Sequence, residues 1–289
     1  TLENGLKVLV LPRSASTVAV CDLYYPAGSV HEPPGLSGIA HFVEHMLFKG
    51  TARFPKGAID QLAAWYGGSA NAETGEDFTH YWFALPPAGL ELAFAIEADR
   101  MRAPLFDPSE LDADRRVIEE ERSRELDSPL GRLDQTHQAV SFLKHPYRNP
   151  ILGWPDDFRR VTAADLRRFH QRHYRPDGAV LVVVGDIEPG WVLKCADEHF
   201  ARIPPGGPVA DDSPLDEPRS AGRFSFTLCE QDVAPRGILG WRTVPRGHPD
   251  APALDVLADL LGWGRRARLV DRLVERERIA GSIDVSHEV

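Results

Sequence analysis

The chain has 289 residues, of which 43% are hydrophobic and 26% are charged, and its formal net charge is -10. This length favours two domains, and the composition is typical of a folded globular protein. The negative charge disfavours a nucleic-acid backbone as partner. The sequence has no run of about 18 apolar residues that would span a membrane. Its three cysteines are widely spaced, which is not the pattern of a disulfide framework or a cysteine-based zinc site.

In the first two thirds of the chain, strands and helices alternate. Apolar stretches bounded by turn residues predict strands at 5–12, 17–29 and 77–86, and a strand buried on both faces at 179–186. Helical periodicity predicts helices at 36–49, 56–66, 87–102, 109–127, 132–144, 162–173 and 189–201. Ser109 with Asp112, and Thr162 with Asp165, have the spacing of N-terminal capping boxes.

A segment rich in Pro, Gly, Asp and Ser at 204–222 predicts a linker. Beyond it, predicted strands at 223–230, 236–243 and 279–289 and helices at 251–262 and 268–277 repeat the element order with which the chain begins. We therefore predict an α+β fold of two homologous domains, each with a mixed, mainly antiparallel sheet flanked by helices. The first domain covers 1–203; the second, at 223–289, is shorter, so its sheet is expected to be incomplete.

The stretch HFVEHMLFKG, which begins at residue 41, places His41, Glu44 and His45 on one stripe of a helix. Two imidazoles one turn apart can hold one zinc ion, and the order of the residues is that of the inverted zinc motif of metallopeptidases. The alternative is a solvated helix face with incidental histidines. A weaker pair, His170 and His173, is interpreted as structural. The other side of the helix is an apolar stripe that faces the core: Ile39, Phe42, Val43, Met46 and Leu47.

A zinc site in a hydrolase needs a third protein ligand. The stretch DRRVIEEERSRELD, from residue 114, is rich in acids, and Asp114 and Glu121 share one helical stripe. Spacing alone does not choose among Glu119, Glu120 and Glu121 as the ligand. The alternative interpretation of this run is a charged, salt-bridged surface.

Four separated stretches resemble the pitrilysin or insulinase family of zinc metallopeptidases, and within it the bacterial relatives of mitochondrial processing peptidase. They occur in the family's order: GLSGIAHFVEHMLFKGT, GGSANAETGEDFTHYWFALP, RRVIEEERSRELDSP and FHQRHYRPDGAVLVVVGDIEP. The resemblance implies one zinc ion per chain, with His41, His45 and Glu121 as ligands and Glu44 as the catalytic base. It also implies that Asp114, where glutamate is usual in the family, supports the site from behind the ligands.

The SANAETG stretch resembles the edge strand with which this family takes up extended substrates. By this resemblance Ala70, Asn71 and Ala72 line the substrate, which adds to the sheet as a further strand. The second domain lacks the His-x-x-Glu-His motif and is expected to be non-catalytic.

The implied function is that of a zinc metalloendopeptidase that hydrolyses short or unfolded peptides. The alternative is a non-catalytic peptide-binding or core partner subunit of a heteromeric peptidase. The expected partners are a peptide substrate and either a second copy of the chain or a related subunit. We expect no nucleic-acid partner and no membrane span. We expect a soluble protein of the bacterial cytoplasm or periplasm, and the sequence does not decide between these two compartments.

Overall fold

The computed structural model describes residues 1–207, 217–218, 222–231 and 234–288. By its internal contacts the chain divides into two compact units, Thr1–Ile238 and Leu239–Val289. Most of the predicted linker at 204–222 lies outside the described residues, so the domain boundaries at 203 and 223 remain predictions. None of the helices among the described residues combines the length and the apolar run that crossing a bilayer requires.

The first unit is built on one sheet. Its strands are β1 (Lys7–Pro12), β2 (Ala19–Tyr25), β3 (Ser69–Thr74), β4 (Thr79–Leu85) and β5 (Val180–Gly185). They are arranged in the order β1–β5–β2–β4–β3, in which only the β1–β5 pair is parallel. The prediction of a mixed, mainly antiparallel sheet is confirmed, and β3 forms one edge of that sheet.

Helices cover the sheet and connect its strands. They are α1 (Ile39–Leu47), α2 (Ala58–Trp65), α3 (Leu90–Arg102), α4 (Pro108–Asp127), α5 (Pro129–Ser141), α6 (Pro155–Phe158), α7 (Ala163–His173) and α8 (Pro189–Phe200). Side chains of β2 and β4 alternate between buried and half-buried, so one face of the sheet forms the core with the helices. Helix α1 contacts β3, β4, α4 and α7, and the predicted apolar stripe of α1 is buried throughout.

Two helix starts differ in how well the sequence predicts them. Thr162 and Asp165 form the predicted capping box of α7. The prediction of Ser109 as the cap of α4 is wrong, because Asp107 caps this helix and accepts the Ser109 backbone N–H at 2.8 Å. Pro108 occupies the first helical position, where its missing N–H costs nothing.

The second unit contains α9 (Ala251–Gly262) and a π-helical turn at Val270–Arg276. The predicted strands at 223–230, 236–243 and 279–289 are wrong for the described part of those ranges, which joins no ladder there. A strand is stable only when neighbouring strands satisfy its backbone N–H and C=O groups, and the described residues of these segments do not supply such neighbours.

A buried charge anchors α3 beneath the sheet. The Arg100 guanidinium is 1% exposed, pairs with Glu97 at 2.7 Å and lies 4.5 Å from the ring centre of Phe48, which ends α1. The Arg100 carbonyl oxygen lies 2.9 Å from Nε2 of His170 on α7. Burial lowers the pKa of His170 to about 4, although the hydrogen bond to this carbonyl opposes the effect. His170 is therefore neutral near pH 7 and donates from Nε2, which fits its structural interpretation.

Replacing His170 by Gln should reduce the decrease in the free energy of unfolding that the chain shows as the pH falls below about 6.5. Because the folded-state pKa of about 4 lies below the ordinary 6.5, the unfolded chain binds this proton first as the pH falls. The free energy of unfolding therefore decreases from about pH 6.5 downwards, and this one group accounts for a loss of about 2 kcal/mol between about pH 7 and about pH 5. Urea unfolding of the parent chain and H170Q at both pH values measures the difference. An identical loss in the two proteins contradicts the assignment.

Candidate metal centre

The start of α1 is fixed by a carboxylate from outside the helix. Glu32 accepts the backbone N–H groups of Gly38 at 2.9 Å and Ala40 at 3.0 Å, which satisfies donors that the first turn of a helix leaves without a partner. Gly38 has φ = 90°, and a Cβ at this position would lie 2.8 Å from the Leu152 carbonyl oxygen. Together with the buried apolar stripe, these contacts set the position and rotation of α1.

The polar stripe of α1 gathers the predicted metal-binding side chains. One nitrogen or oxygen atom from each of His41, Glu44 and His45 lies within 4.8 Å of the other two. Glu121 reaches this cluster from α4, with its Oε2 atom 3.5 Å from Nε2 of His45 and 3.9 Å from Nε2 of His41. Two imidazoles and two carboxylates from separate helices thus meet in one place.

The packing of α4 against α1 distinguishes the three neighbouring acids of α4. Glu119 points away from the histidines and pairs with Arg159 at 2.8 Å, and Glu120 is exposed. Glu121 is the one of the three whose carboxylate faces His41 and His45. Spacing in the sequence leaves these three open, because the choice depends on the rotation of one helix against the other.

Asp114 supports His45 from the side opposite Glu121. Its side chain is 2% exposed, with Oδ2 3.2 Å from Nδ1 of His45 and Oδ1 2.5 Å from Nζ of Lys49. A carboxylate beside Nδ1 favours the tautomer that carries the proton there, which leaves the Nε2 lone pair directed towards Glu121. Sequence reasoning missed Lys49, although its position one turn after His45 indicates that it continues the same side of α1.

His41 has no comparable support. Its buried Nδ1 atom makes no hydrogen bond within the described part of the chain. Burial and the neighbouring His45 together lower the pKa of His41 to about 3, although Asp114 opposes the effect. The imidazole is therefore neutral at ordinary pH, which is the protonation state that binds a metal ion.

The carboxylates around His45 change its proton affinity and that of Glu44. Burial lowers the pKa of His45, but the nearby carboxylates of Asp114, Glu121 and Glu44 outweigh burial and raise it overall. Burial raises the pKa of Glu44, although the hydrogen bond from Thr74 and the charge of His45 oppose the rise. A raised pKa means that the Glu44 carboxylate binds a proton more readily than an exposed glutamate does.

This set of donor atoms fits zinc. Zinc binds imidazole nitrogen and carboxylate oxygen at about 2.0–2.2 Å, so a tetrahedral site separates neighbouring ligand atoms by about 3.3–3.6 Å. Glu121 Oε2 lies 3.5 Å and 3.9 Å from the two histidine Nε2 atoms. Three ligands leave the fourth position for a substrate or water molecule, which is the arrangement of catalytic zinc sites.

Strand β3 runs beside this centre. Ala72 is buried and Ala70 half-buried on the face that carries the helices, whereas Asn71 is exposed on the other face. The two alanines therefore pack towards the core, and the part of β3 that is open to a partner is its backbone edge. Thr74, the last residue of β3, lies with its Oγ1 atom 2.5 Å from Oε2 of Glu44.

Comparisons with known proteins identify both parts of the chain. The family model described as Insulinase (Peptidase family M16) matches residues 7–153. The model described as Peptidase M16 inactive domain matches residues 160–289. The two matches in tandem confirm the predicted two-domain α+β class.

Individual relatives agree with the family models. Zinc protease PqqE of Helicobacter pylori is 33% identical over 284 residues, which cover 97% of this chain and 64% of PqqE. The crystal structure of a protease from Helicobacter pylori has a TM-score of 0.86 at 32% identity and covers 100% of this chain and 70% of that one. The crystal structure of the ferredoxin protease FusC in complex with Arabidopsis ferredoxin has a TM-score of 0.65 at 28% identity, over 71% of this chain and 23% of that one.

The chain therefore spans somewhat less than two thirds of the length of PqqE. The resemblance inferred from the four sequence stretches is confirmed, and the terms hydrolase, metalloprotease and zinc follow from the names of the relatives. Because a family model covers more than half of the chain and a solved structure matches it at 32% identity over its whole length, the chain belongs to the insulinase family of peptidases, family M16.

Proposed function

We propose that this chain carries the catalytic centre of a zinc metalloendopeptidase that hydrolyses short or unfolded peptides bound as an added strand on β3. The observation that carries the proposal is the convergence of His41, His45 and Glu121 next to Glu44. The names of its relatives support both the metal and the reaction. We propose one zinc ion per chain, because the described residues bring together no second group of this kind.

His41, His45 and Glu121 would hold the ion, which when bound makes a water molecule more acidic and polarises the carbonyl of the substrate. Glu44 lies beside these ligands and takes one proton from the attacking water. The water oxygen adds to the carbonyl carbon while the C=O π electrons move to the carbonyl oxygen, which gives a tetrahedral adduct. The C=O bond re-forms as the C–N bond breaks, and Glu44 passes its proton to the leaving nitrogen. Asp114 keeps the ring of His45 in place through Nδ1.

The substrate would pair with the outer edge of β3, with which no other strand pairs among the described residues. An extended peptide gains affinity from backbone hydrogen bonds to such an edge, whatever its sequence. Ala70, Asn71 and Ala72 are small or exposed, so they do not obstruct an approaching strand. A tightly folded protein offers few unpaired strands, so we expect unfolded segments to be cut first. The complex of FusC with ferredoxin supports a polypeptide as the substrate class.

A second candidate function is that of a non-catalytic subunit that binds peptides and works with a second copy or a related partner. The observation that favours it is the match of residues 160–289 to the Peptidase M16 inactive domain. The presence of a base, Glu44, beside three potential ligands favours the enzyme, because binding a peptide requires no base. The experiments below separate the two functions.

Replacing Glu44 by Gln tests the proposed base. The amide keeps the size of the side chain but cannot accept the proton, so we expect kcat/KM on an unfolded peptide to fall by about 100-fold to 10,000-fold. Zinc content, measured by elemental analysis, should remain at one ion per chain, because Glu44 is not a proposed ligand. Undiminished cleavage by E44Q rules out Glu44 as the base. Zinc binding without cleavage by the parent chain identifies the non-catalytic function.

Replacing Glu121 by Gln tests the third ligand. Loss of a charged ligand should weaken zinc binding by more than about 100-fold. Loss of a group that only hydrogen-bonds to a ligand typically weakens metal binding by about 10-fold to 100-fold. Glu120 provides the matched control, because it is the adjacent acid on α4 and is exposed. Competition with a chromogenic chelator gives both affinities. Equal zinc affinity of E121Q and E120Q is the outcome that excludes Glu121 as a ligand.

A further inference from the structure

A buried hydroxyl joins the edge strand to the proposed base. Thr74 and Glu44 are 7% and 9% exposed, and Thr74 Oγ1 lies 2.5 Å from Glu44 Oε2. An ionised carboxylate has no proton to give, so Thr74 is the donor in this hydrogen bond. The bond links the last residue of β3 to the middle of α1, which are 30 residues apart in the sequence.

The neighbouring groups leave the Thr74 proton available for Glu44. Thr74 faces Thr79 across the β3–β4 pair, and their Oγ1 atoms are 3.2 Å apart. Thr79 Oγ1 also lies 2.6 Å from the carbonyl oxygen of Ala27, which can only accept. Each hydroxyl has a single proton, so the shorter contacts assign the proton of Thr79 to Ala27 and that of Thr74 to Glu44. The hydrogen bond from Thr74 therefore points from the sheet towards the base.

This contact restricts the Glu44 carboxylate. With Oε2 held by Thr74, rotation about the last bond of the side chain would break a hydrogen bond to a charged group in a site that water hardly reaches. The carboxylate is therefore kept in one orientation relative to His41 and His45. Since Thr74 belongs to β3, the same contact also fixes the base relative to the edge on which the peptide would lie.

We propose that Thr74 is a positioning residue that orients Glu44 for proton transfer and ties the base to the substrate-binding edge. The proposal rests on the proposed peptidase function. Thr74 acts through Glu44, so its loss should slow the reaction of bound substrate more than it weakens substrate or zinc binding.

The test compares Thr74→Val with Thr74→Ser. Valine keeps the β-branched shape and removes the hydroxyl, and serine restores the hydroxyl without the methyl group. For T74V we expect kcat to fall by about 10-fold to 100-fold, the range given by one hydrogen bond to a charged group. KM should change by less than about 3-fold and zinc content should remain at that of the parent chain, because the backbone edge and the ligands are untouched. T74S should recover most of kcat.

Thr51→Val is the matched control for a purely structural effect. Thr51 is also buried, and its Oγ1 lies 2.5 Å from Oδ2 of the buried Asp99. The same oxygen accepts the backbone N–H groups of Arg53 at 3.2 Å and Phe54 at 3.0 Å. T74V and T51V each lose a buried hydroxyl–carboxylate bond, and T51V also loses the two bonds from backbone N–H groups. Both should show a lower free energy of unfolding, whereas only T74V should show a lower kcat. Equal kcat losses in the two variants, or a T74V with the kcat of the parent, overturn the role of Thr74.

The E44Q variant, measured in the same series, separates this proposal from the proposed function. A large loss of kcat in E44Q together with an unchanged kcat in T74V overturns the role of Thr74 alone. An unchanged kcat in E44Q overturns the assignment of Glu44 as the base and the role of Thr74 with it, whereas zinc binding without cleavage by the parent chain overturns the proposed function. Loss of kcat in both variants, with recovery in T74S, supports both proposals.

Discussion

The burial of one face of α1 is the constraint on which the candidate site depends. Five apolar side chains of this helix, Ile39, Phe42, Val43, Met46 and Leu47, are enclosed by the sheet and the neighbouring helices. Full burial of such side chains contributes about 1.5–3 kcal/mol each, so turning the helix would cost more than any single polar contact on its other side recovers. The apolar side chains, which take no part in the chemistry, thus hold the polar stripe of α1 in a fixed direction. This orientation therefore does not depend on metal binding.

Charge on the polar stripe is tolerated because each buried charged group has partners. Asp114 lies between His45 and Lys49, and Glu44 accepts from Thr74. Removing one member of such a set leaves another buried without compensation, which is far more costly than losing an exposed ion pair. The supporting groups therefore have two effects. They offset the free-energy cost of burying the charges, and they fix the direction of the atoms that would bind zinc or move a proton.

The edge strand and the metal centre are parts of one arrangement. Strand β3 packs on α1 and ends at Thr74, which contacts Glu44. An uncovered sheet edge is normally a risk for aggregation, and the position of the β3 edge next to a metal centre is explained if the edge has a binding function. A peptide that pairs with β3 would lie along the same strand that orients the base, so recognition of the backbone and placement of the reacting bond would depend on the same element.

Local patterns in the sequence were sufficient for some of these features and insufficient for others. The two stripes of α1 and the edge position of β3 could be inferred from periodicity and from family resemblance, and Lys49 could have been found from helical spacing. Glu121 could not be distinguished from Glu119 and Glu120, because that depends on how α4 packs against α1. Thr74 gave no local signal, since its partner lies in a distant helix. The predicted strands beyond residue 222 failed because strand formation depends on neighbours and not on the segment's own pattern.

The proposed chemistry requires a single zinc ion bound by two imidazoles and one carboxylate. X-ray absorption at the zinc edge, on the chain loaded with one equivalent of zinc, tests this most directly. We expect only nitrogen and oxygen ligands, at about 2.0–2.2 Å, with the multiple-scattering signature of two histidines. This signal should be lost in the His41→Ala variant. A sulfur contribution at about 2.3 Å, which would indicate a site at a cysteine such as the exposed Cys229, would contradict it.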